Sequence, residues 1–226
     1  MDAVIKVGGS LAENTDALKA LGVELCRIAK KYAIVVVPGG GKFADAVRAF
    51  DKKFTLPPVV SHRLAILAMD QYGLVLSQLI PESCTIDALK DARRISNAKK
   101  VLIFQPSKLM FQDDALEASW DVTSDSIAVY VACRLHAERV ILVTDVDGVF
   151  TKDPKTHADA KLINEVSGEE LLSRVGRTSV DKFLPKFLSK NRLDCYVVNG
   201  KYPERISAVL SGQRTTCTRI VAGTGA

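Results

Sequence analysis

The run IVVVPGGGKFADAV, residues 34–47, is an apolar, β-branched strand that stops at three consecutive glycines and passes straight into a helical pattern. A tight turn needs one glycine. Three in succession strip the backbone of Cβ atoms, so that its N–H groups approach a ligand closely and point together at an anion. A Walker A loop would need a glycine five residues before Gly41 and Ser or Thr after Lys42, where this chain has Val36 and Phe43. Gly39, Gly41 and Ala44 do satisfy GxGxxA, the dinucleotide pattern, but on a second strand and with no acidic strand end to follow. The run therefore reads as an anion-binding loop between a buried strand and a helix.

The same design occurs once more, at the start of the chain. AVIKVGGSLA, residues 3–12, is a strand with one lysine that ends in Gly8-Gly9-Ser10 before another helical stretch. Lys6 is two residues from the first glycine and reaches the same space, an arrangement that suits a polyphosphate. A plain strand-to-helix turn with Lys6 at a sheet edge accounts for this stretch equally well.

Further apolar runs at 100–104, 138–143, 195–198 and 217–222 join those at 3–7 and 33–37 as strands. Amphipathic stretches at about 15–30, 43–52, 61–79, 86–96, 123–136, 168–175, 180–190 and 203–211 read as helices. Ser167 with Glu170 forms a capping box, Pro203 suits a first helical turn, and Gly212 suits a helix stop. The segment 53–60 breaks between helices, and 105–121 reads as a crossover without regular structure. Alternating strands and helices imply an α/β fold with a largely parallel sheet covered on both faces. No internal repeat emerges, and a soft boundary falls near residue 120.

The 226 residues are ample for one α/β domain with a substantial core. Composition is 47% hydrophobic and 25% charged without low-complexity tracts, which argues against disorder. The apolar runs are too short to span a bilayer, and Met1 leads directly into a strand, leaving no room for a signal peptide. Five scattered cysteines, with neither a CxxC pair nor zinc-ligand spacing, fit buried thiols in a reducing compartment. The expectation is a cytoplasmic protein without a membrane partner. A net charge of +5 favours anionic partners, but the basic residues are dispersed, which points to phosphorylated small molecules rather than nucleic acid.

Three more stretches carry polar groups at strand or helix ends. RVILVTDVDGVFTKDP, residues 139–154, ends a buried strand in Thr144-Asp145, turns through Asp147-Gly148 and exposes Lys152 before Pro154, the place where open α/β sheets bind ligands. It is not an EF-hand, because the twelfth position from Asp145 is Thr156; for Asp147 a plain Asp-Gly turn is the simpler account. In WDVTSDSIAVYVACRLHA, residues 120–137, Thr123 or Ser124 caps a helix and Asp125 lies in its first turn. Opposing the helix dipole explains Asp125, and so does orienting Lys6 if the helix start faces the glycine loops. TSVDKFLPKFLSK, residues 178–190, places Lys182 and Lys186 four apart on one helical face, either as solvent contacts or as site cations.

Together, KVGGS, the PGGG loop, the TSD helix start and TDVDGVFTKDP resemble the amino acid kinase superfamily, in order and over essentially the whole chain. The resemblance implies a three-layer αβα sandwich with an open, mainly parallel sheet. It also implies ATP and Mg²⁺ as cofactors, an acceptor bound by residues 1–120 and a nucleotide bound by residues 121–226. It places Lys6, Gly8, Gly9 and Ser10 around the transferring phosphoryl group and Gly39, Gly40 and Gly41 at the acceptor. Asp125 becomes the organiser of catalytic lysines. Thr144, Asp145, Gly148, Val149, Phe150, Lys152, Asp153 and Pro154 cradle the nucleotide.

Carboxylate kinases of this superfamily carry GGMxxK before the late helix. Here Val180 and Phe183 stand at the methionine and lysine, so Lys182 is the candidate for the closing charge. VDKFLPKFL, PGGGKFADAVR and SHRLAILAMDQYG resemble the branch that phosphorylates an aminomethyl-furan-methanol phosphate to its diphosphate in methanofuran biosynthesis. UMP kinases are the next pattern, and a non-enzymatic nucleotide-binding or oxyanion-storage protein of the same fold is a further alternative. For the furan acceptor, His62 and Asp70 lie eight residues apart on one helix side, with Asp70 placed to pair with the aminomethyl group. His62 reads equally as a capping or core residue. Lys42 and Arg48 are candidate clamps on the acceptor phosphate, or exposed helix positions. No protein ligand to the metal is assigned, and assembly into a homo-oligomer is expected because superfamily members commonly pair through their N-terminal halves.

Overall fold

A computed structural model describes residues 1–95, 99–113, 115–173, 180–181 and 183–222. Lys182 lies outside the described residues, as does the side chain of Lys186.

Strand β1 (Ala3–Val7) is followed by a short 3₁₀ turn, Gly9–Glu13, and helix α1 (Thr15–Ala29). Asn14 opens α1 by accepting a hydrogen bond from the Ala17 amide, and Asp16 in the first turn and Arg27 in the last complement the helix dipole. Strand β2 (Ile34–Pro38) leads into α2 (Gly41–Phe54) and α3 (Pro58–Leu79), the latter opened by a proline that has no amide hydrogen to strand. Then come β3 (Ser83–Ile86), α4 (Leu89–Ile95), β4 (Val101–Phe104), α5 (Ser107–Asp113) and α6 (Ser124–Leu135). The second half contains β5 (Val140–Thr144), the short strands β6 (Val149–Phe150), β7 (Leu162–Ile163) and β8 (Glu165–Ser167), and helices α7 (Gly168–Ser173) and α8 (Leu184–Asn191). It closes with β9 (Cys195–Asn199), α9 (Glu204–Leu210) and β10 (Thr218–Val221).

The eight-stranded sheet has the order β3-β4-β2-β1-β5-β9-β10-β8, parallel except where β10 pairs with β9; β6 and β7 form a separate antiparallel pair. It is open, mainly parallel and covered on both faces, as the alternation of elements requires. The pleat sorts side chains to the two layers. Ile5, Val7, Val36, Ile141, Val143 and Val198 face α1 and α9, where Leu18, Leu21, Leu25, Ile28, Ile206 and Leu210 are buried against them. Val4, Val35, Val37, Leu142 and Val197 face α6 and α8 and meet Ile127, Val131, Leu184 and Leu188. Each such aliphatic side chain contributes about 1.5–3 kcal/mol by leaving water. Helix α3 reaches both layers, with Tyr72 and Leu76 in the first and Ile66 and Met69 in the second.

The expected strands and long helices are found within one to four residues of their sequence bounds. Four short strands and a helix were not foreseen. The segment 105–121 is not featureless: it holds α5, and the expected helix at 86–96 begins only at Leu89 because β3 occupies 83–86. The capping box at 167–170 forms in both directions, with Ser167 Oγ 3.1 Å from the Glu170 amide and the Ser167 amide 3.0 Å from Glu170 Oε2. Gly212 stops α9 in the left-handed region at φ +73°.

Candidate active site at the ends of strands β1, β2 and β5

Strand β1 is flanked by β2 on one side and β5 on the other, and the chain builds outward from it in opposite directions. A crevice at its C-terminal end is where open α/β sheets bind ligands. Register levels the three strand ends: Val7 opposes both Pro38 and Val143. The next amides close the ladders, Gly39 donating to Val7 at 2.8 Å and Gly8 donating to Val143 at 2.8 Å.

The two glycine loops consequently lie in backbone contact. A Cβ on Gly9 would sit 2.2 Å from Gly41 Cα and 2.2 Å from its nitrogen, and one on Gly39 would sit 2.8 Å from the Gly9 nitrogen. Gly41 itself is left-handed, at φ +51°. Glycine is required here by the closeness of the chains, which leaves a hollow of bare backbone at the crevice floor.

Lys6 alternates with Ile5 and Val7, so the pleat turns it to the α6 face, where α6 starts. There its Nζ lies 2.8 Å from Asp125 Oδ1, with the two side chains only 13% and 7% exposed. Asp125 Oδ1 makes no aligned hydrogen bond, so the contact is an ion pair. Thr123 caps the helix by accepting from the Asp125 amide, as the sequence suggested. Lys6 Nζ and Ser10 Oγ each lie 3.7 Å from where a Gly8 Cβ would be, so ammonium, hydroxyl and bare amides converge.

Beside this hollow opens a pocket of about 250 Å³. Gly9, Gly40, Gly41, Thr123 and Ser124 form its inner rim; Ala44, Ala65, Ile66, Met69, Val122 and Ile127 make an apolar floor; Arg48, His62, Ser119 and Trp120 complete it. The Arg48 guanidinium stacks 4.8 Å from the Trp120 ring centroid, and the indole N–H donates to Asp51 at 2.7 Å. Lys42 points to Glu13 at 2.8 Å instead of into the pocket. Asp70 is not brought to the pocket either. Its oxygens accept from the amide and hydroxyl of Ser107, tying α3 to the start of α5, and burial pushes its carboxyl above the ordinary value.

On the other side of β1, Thr144 ends β5 and its hydroxyl donates to Asp145 Oδ1 at 3.4 Å, with Asp147 two residues further along the turn. Burial would raise both carboxyls, but hydrogen bonds from Lys155 to Asp145 and from Arg205 and Asn199 to Asp147 hold them below the ordinary value. Arg205 Nη1 is 2.6 Å and Asn199 Nδ2 3.0 Å from Asp147 Oδ1. Gly148, at φ +154°, has no room for a side chain: a Cβ would meet Thr218 Oγ1 at 2.4 Å. Val149 and Phe150 form β6, Lys152 pairs with Asp159, and Asp153 closes the following turn by accepting from the Lys155 amide, with Pro154 exposed between them. Among the described residues no cluster of three or more His, Cys, Asp or Glu could hold a metal ion.

The amino acid kinase family profile matches residues 1–199. The chain belongs to the amino acid kinase family. Its curated relatives include the [5-(aminomethyl)furan-3-yl]methyl phosphate kinase of Methanocaldococcus jannaschii, 38% identical with 96% of this chain and 97% of the relative covered. A uridylate kinase of Thermococcus kodakarensis is 26% identical, with 95% and 97% covered. Among solved structures, the uridylate kinase of Archaeoglobus fulgidus superposes with a TM-score of 0.76 over 98% of this chain and 100% of that one at 22% identity. The UMP kinase of Bacillus anthracis does so at 0.77 over 99% and 96% at 18% identity. As an amino acid kinase family member, the chain is a phosphotransferase.

Sequence reasoning overlooked Asp181 and Trp120. Asp181 stands two residues before Phe183, the N-cap of α8, and accepts the Phe183 and Leu184 amides, a local side-chain-to-backbone pattern open to an Asp ahead of a helix start. Trp120 gave no local signal, since only the fold sets it against Arg48.

Proposed function

We propose that this chain is an ATP-dependent kinase that transfers a γ-phosphoryl group to the phosphate of a small monoester, forming a diphosphate. The acceptor is [5-(aminomethyl)furan-3-yl]methyl phosphate, used in methanofuran biosynthesis. The observation that carries the reading is the backbone contact of the two glycine loops, with the Lys6–Asp125 pair at their rim and one pocket opening from them.

An acceptor phosphate, with a second pKa near ~6, is already a nucleophilic anion at neutral pH and needs no strong general base. The difficulty is bringing two anions together, a repulsion of about 4 kcal/mol per charge pair at 4 Å in a surface-like dielectric. Bare amides of residues 8–10 and 39–41 and the Lys6 ammonium offset that repulsion where charge develops. Asp125 keeps Lys6 in one rotamer, a function a flexible four-carbon stem requires. Mg-ATP, when bound, supplies the phosphoryl group and further positive charge. Residues 144–154 are the nucleotide side of the crevice. Asp145 and Asp147, engaged by Lys155 and Arg205, shape that turn. Lys182 remains the candidate for charge on the leaving side.

On the acceptor side, Arg48 suits the monoester phosphate, His62 an adjacent polar contact and Trp120 the face of a small flat ring. No carboxylate lines this pocket among its described residues. Asp51, held by the Trp120 indole, lies beside Arg48 and Trp120 at its outer edge and suits an aminomethyl group. Five free cysteines suit a reducing cytoplasm. Phe50, Phe54, Val59, Leu67 and Leu74 leave an apolar face on α2 and α3 that suits a second copy of the chain. No described helix is long and apolar enough to cross a membrane.

Purified protein with Mg-ATP and the furan phosphate should yield ADP and a diphosphate, read by phosphorus NMR. Turnover with UMP and none with the furan phosphate would replace the acceptor; no ADP with any phosphate monoester would end the kinase reading.

A further inference from the structure

The phosphoryl-transfer scheme makes no use of Asp181, yet this buried carboxylate, 9% exposed, accepts six hydrogen bonds. Its Oδ2 takes the Thr123 amide and hydroxyl, both at 2.9 Å, and the Ser126 amide at 3.1 Å. Its Oδ1 takes the Ser126 hydroxyl at 2.7 Å and the amides of Phe183 and Leu184 at 3.1 and 2.7 Å. One side chain thereby joins the start of α6 to the start of α8. The arrangement is costly, because a second buried carboxylate, Asp125, belongs to the same helix start; burial and the Asp125 charge push the Asp181 carboxyl above its ordinary value. Holding two helices together needs no charge: an apolar contact between Ile127 and Leu184 would serve and avoid the repulsion.

What the charge secures is orientation. Thr123 and Ser126 bracket Asp125, and Thr123 Oγ1, while donating to Asp181, accepts the Asp125 amide at 3.2 Å. A relay thus runs from Asp181 through Thr123 to Asp125 and on to Lys6 Nζ. Asn at 181 could not replace the acid, because its NH₂ group would confront donors on one side.

We propose that Asp181 is the positioning residue of the Lys6–Asp125 pair, fixing the first turn of α6 so that the Lys6 ammonium is held at the transferring phosphoryl group. The proposal rests on the kinase reading above.

Steady-state kinetics of Asp181→Asn, Asp125→Asn and the double variant test it, with thermal melts to confirm folding. The expected result is a roughly 30- to 100-fold fall in kcat for Asp181→Asn with both KM values within about threefold, because the loss is confined to the transition state. Since Asp181 acts through Asp125, adding Asp181→Asn to Asp125→Asn should cost less than about threefold more. A merely structural clip would instead multiply the losses. A folded Asp181→Asn with kcat within threefold of wild type, or multiplicative losses, overturns the proposal. Should Asp181→Asn not fold, Ser126→Ala removes a single donor; a roughly fivefold fall in kcat that disappears in the Asp125→Asn background is expected, and an unchanged kcat overturns the proposal. If Asp125→Asn alone keeps full kcat, the Lys6–Asp125 reading fails first and takes this one with it.

Discussion

A Cβ atom on Gly9 would lie 2.2 Å from the Gly41 backbone, so residues 32 positions apart in the chain are pressed together as closely as their backbones permit. Gly9→Ala must therefore push the 39–41 loop away from the 8–10 loop. Overpacking of this kind costs typically ~1–3 kcal/mol, and a 1 Å misplacement at the reacting centre costs on the order of 10²-fold in rate. Thermal melting and kcat of Gly9→Ala should show the second loss to be far larger than the first. The opposite ranking would show that loop proximity is a matter of stability alone.

Lys6 and Asp125 form a pair removed from water, and deleting one partner strands the other's charge. Lys6→Met should destabilise the fold by about 3–5 kcal/mol and lower kcat by about 10²–10³-fold. Combining Lys6→Met with Asp125→Leu should restore most of the stability and none of the activity. Chemical denaturation alongside an ADP-release assay reads both quantities. Activity in the double variant would remove the pair from the chemistry.

Acid should unfasten the turn between β5 and β6. The Asp147 carboxyl is held below the ordinary 3.8 despite its burial, by Arg205 and Asn199. A lowered folded-state pKa means that the contribution is present above the unfolded value and lost as pH falls through the folded one. Wild type should melt above Asp147→Asn at pH 7, and the gap should close as pH drops below about 3.8. A gap that stays constant with pH would assign the difference to hydrogen bonding that is independent of charge.

The acceptor pocket carries its own reporter, because Trp120 is the single tryptophan of the chain. Titrating the furan phosphate should change its fluorescence, and Arg48→Ala should raise the acceptor KM roughly 10- to 100-fold, the effect of losing a charge-assisted contact, while leaving the KM for ATP in place. Equal weakening for both substrates would move Arg48 out of the acceptor site.

Asp70 gives the converse test. Its hydrogen bonds to Ser107 make it a cap on α5, so Asp70→Ala should cost about 1 kcal/mol of stability and leave the acceptor KM unaltered. A specific rise in that KM would return Asp70 to substrate recognition.

Much of the fold was legible because it is periodic. The strands at 3–7, 34–38 and 195–199 are continuous apolar runs, and α1 and α6 carry their own caps at Asn14 and Thr123. The misses lack such local marks. Helix α5 is seven residues long, and its start is tied down by Asp70, 37 residues earlier. Strands β6 and β7 have two residues each, too few to show alternation. At the site, the glycine runs and Lys6 were readable from composition at strand ends. Asp70 and His62, eight apart on one helix, looked alike in sequence, yet the roughly 80° by which eight residues overrun two helical turns, together with the position of α5, leaves only His62 in the pocket.

From the order of its residues alone, the chain determined its parallel α/β class, the bare-amide loops at 8–10 and 39–41, and the helix start that carries Asp125, because propensity, pleat alternation and missing Cβ atoms act over a few neighbours. Tertiary structure decided that those loops touch, that Asp125 meets Lys6, that Arg48 covers Trp120 and that Asp181 clasps two helices. Each of these depends on sheet order and strand register, which bring side chains together across distances no local rule can span.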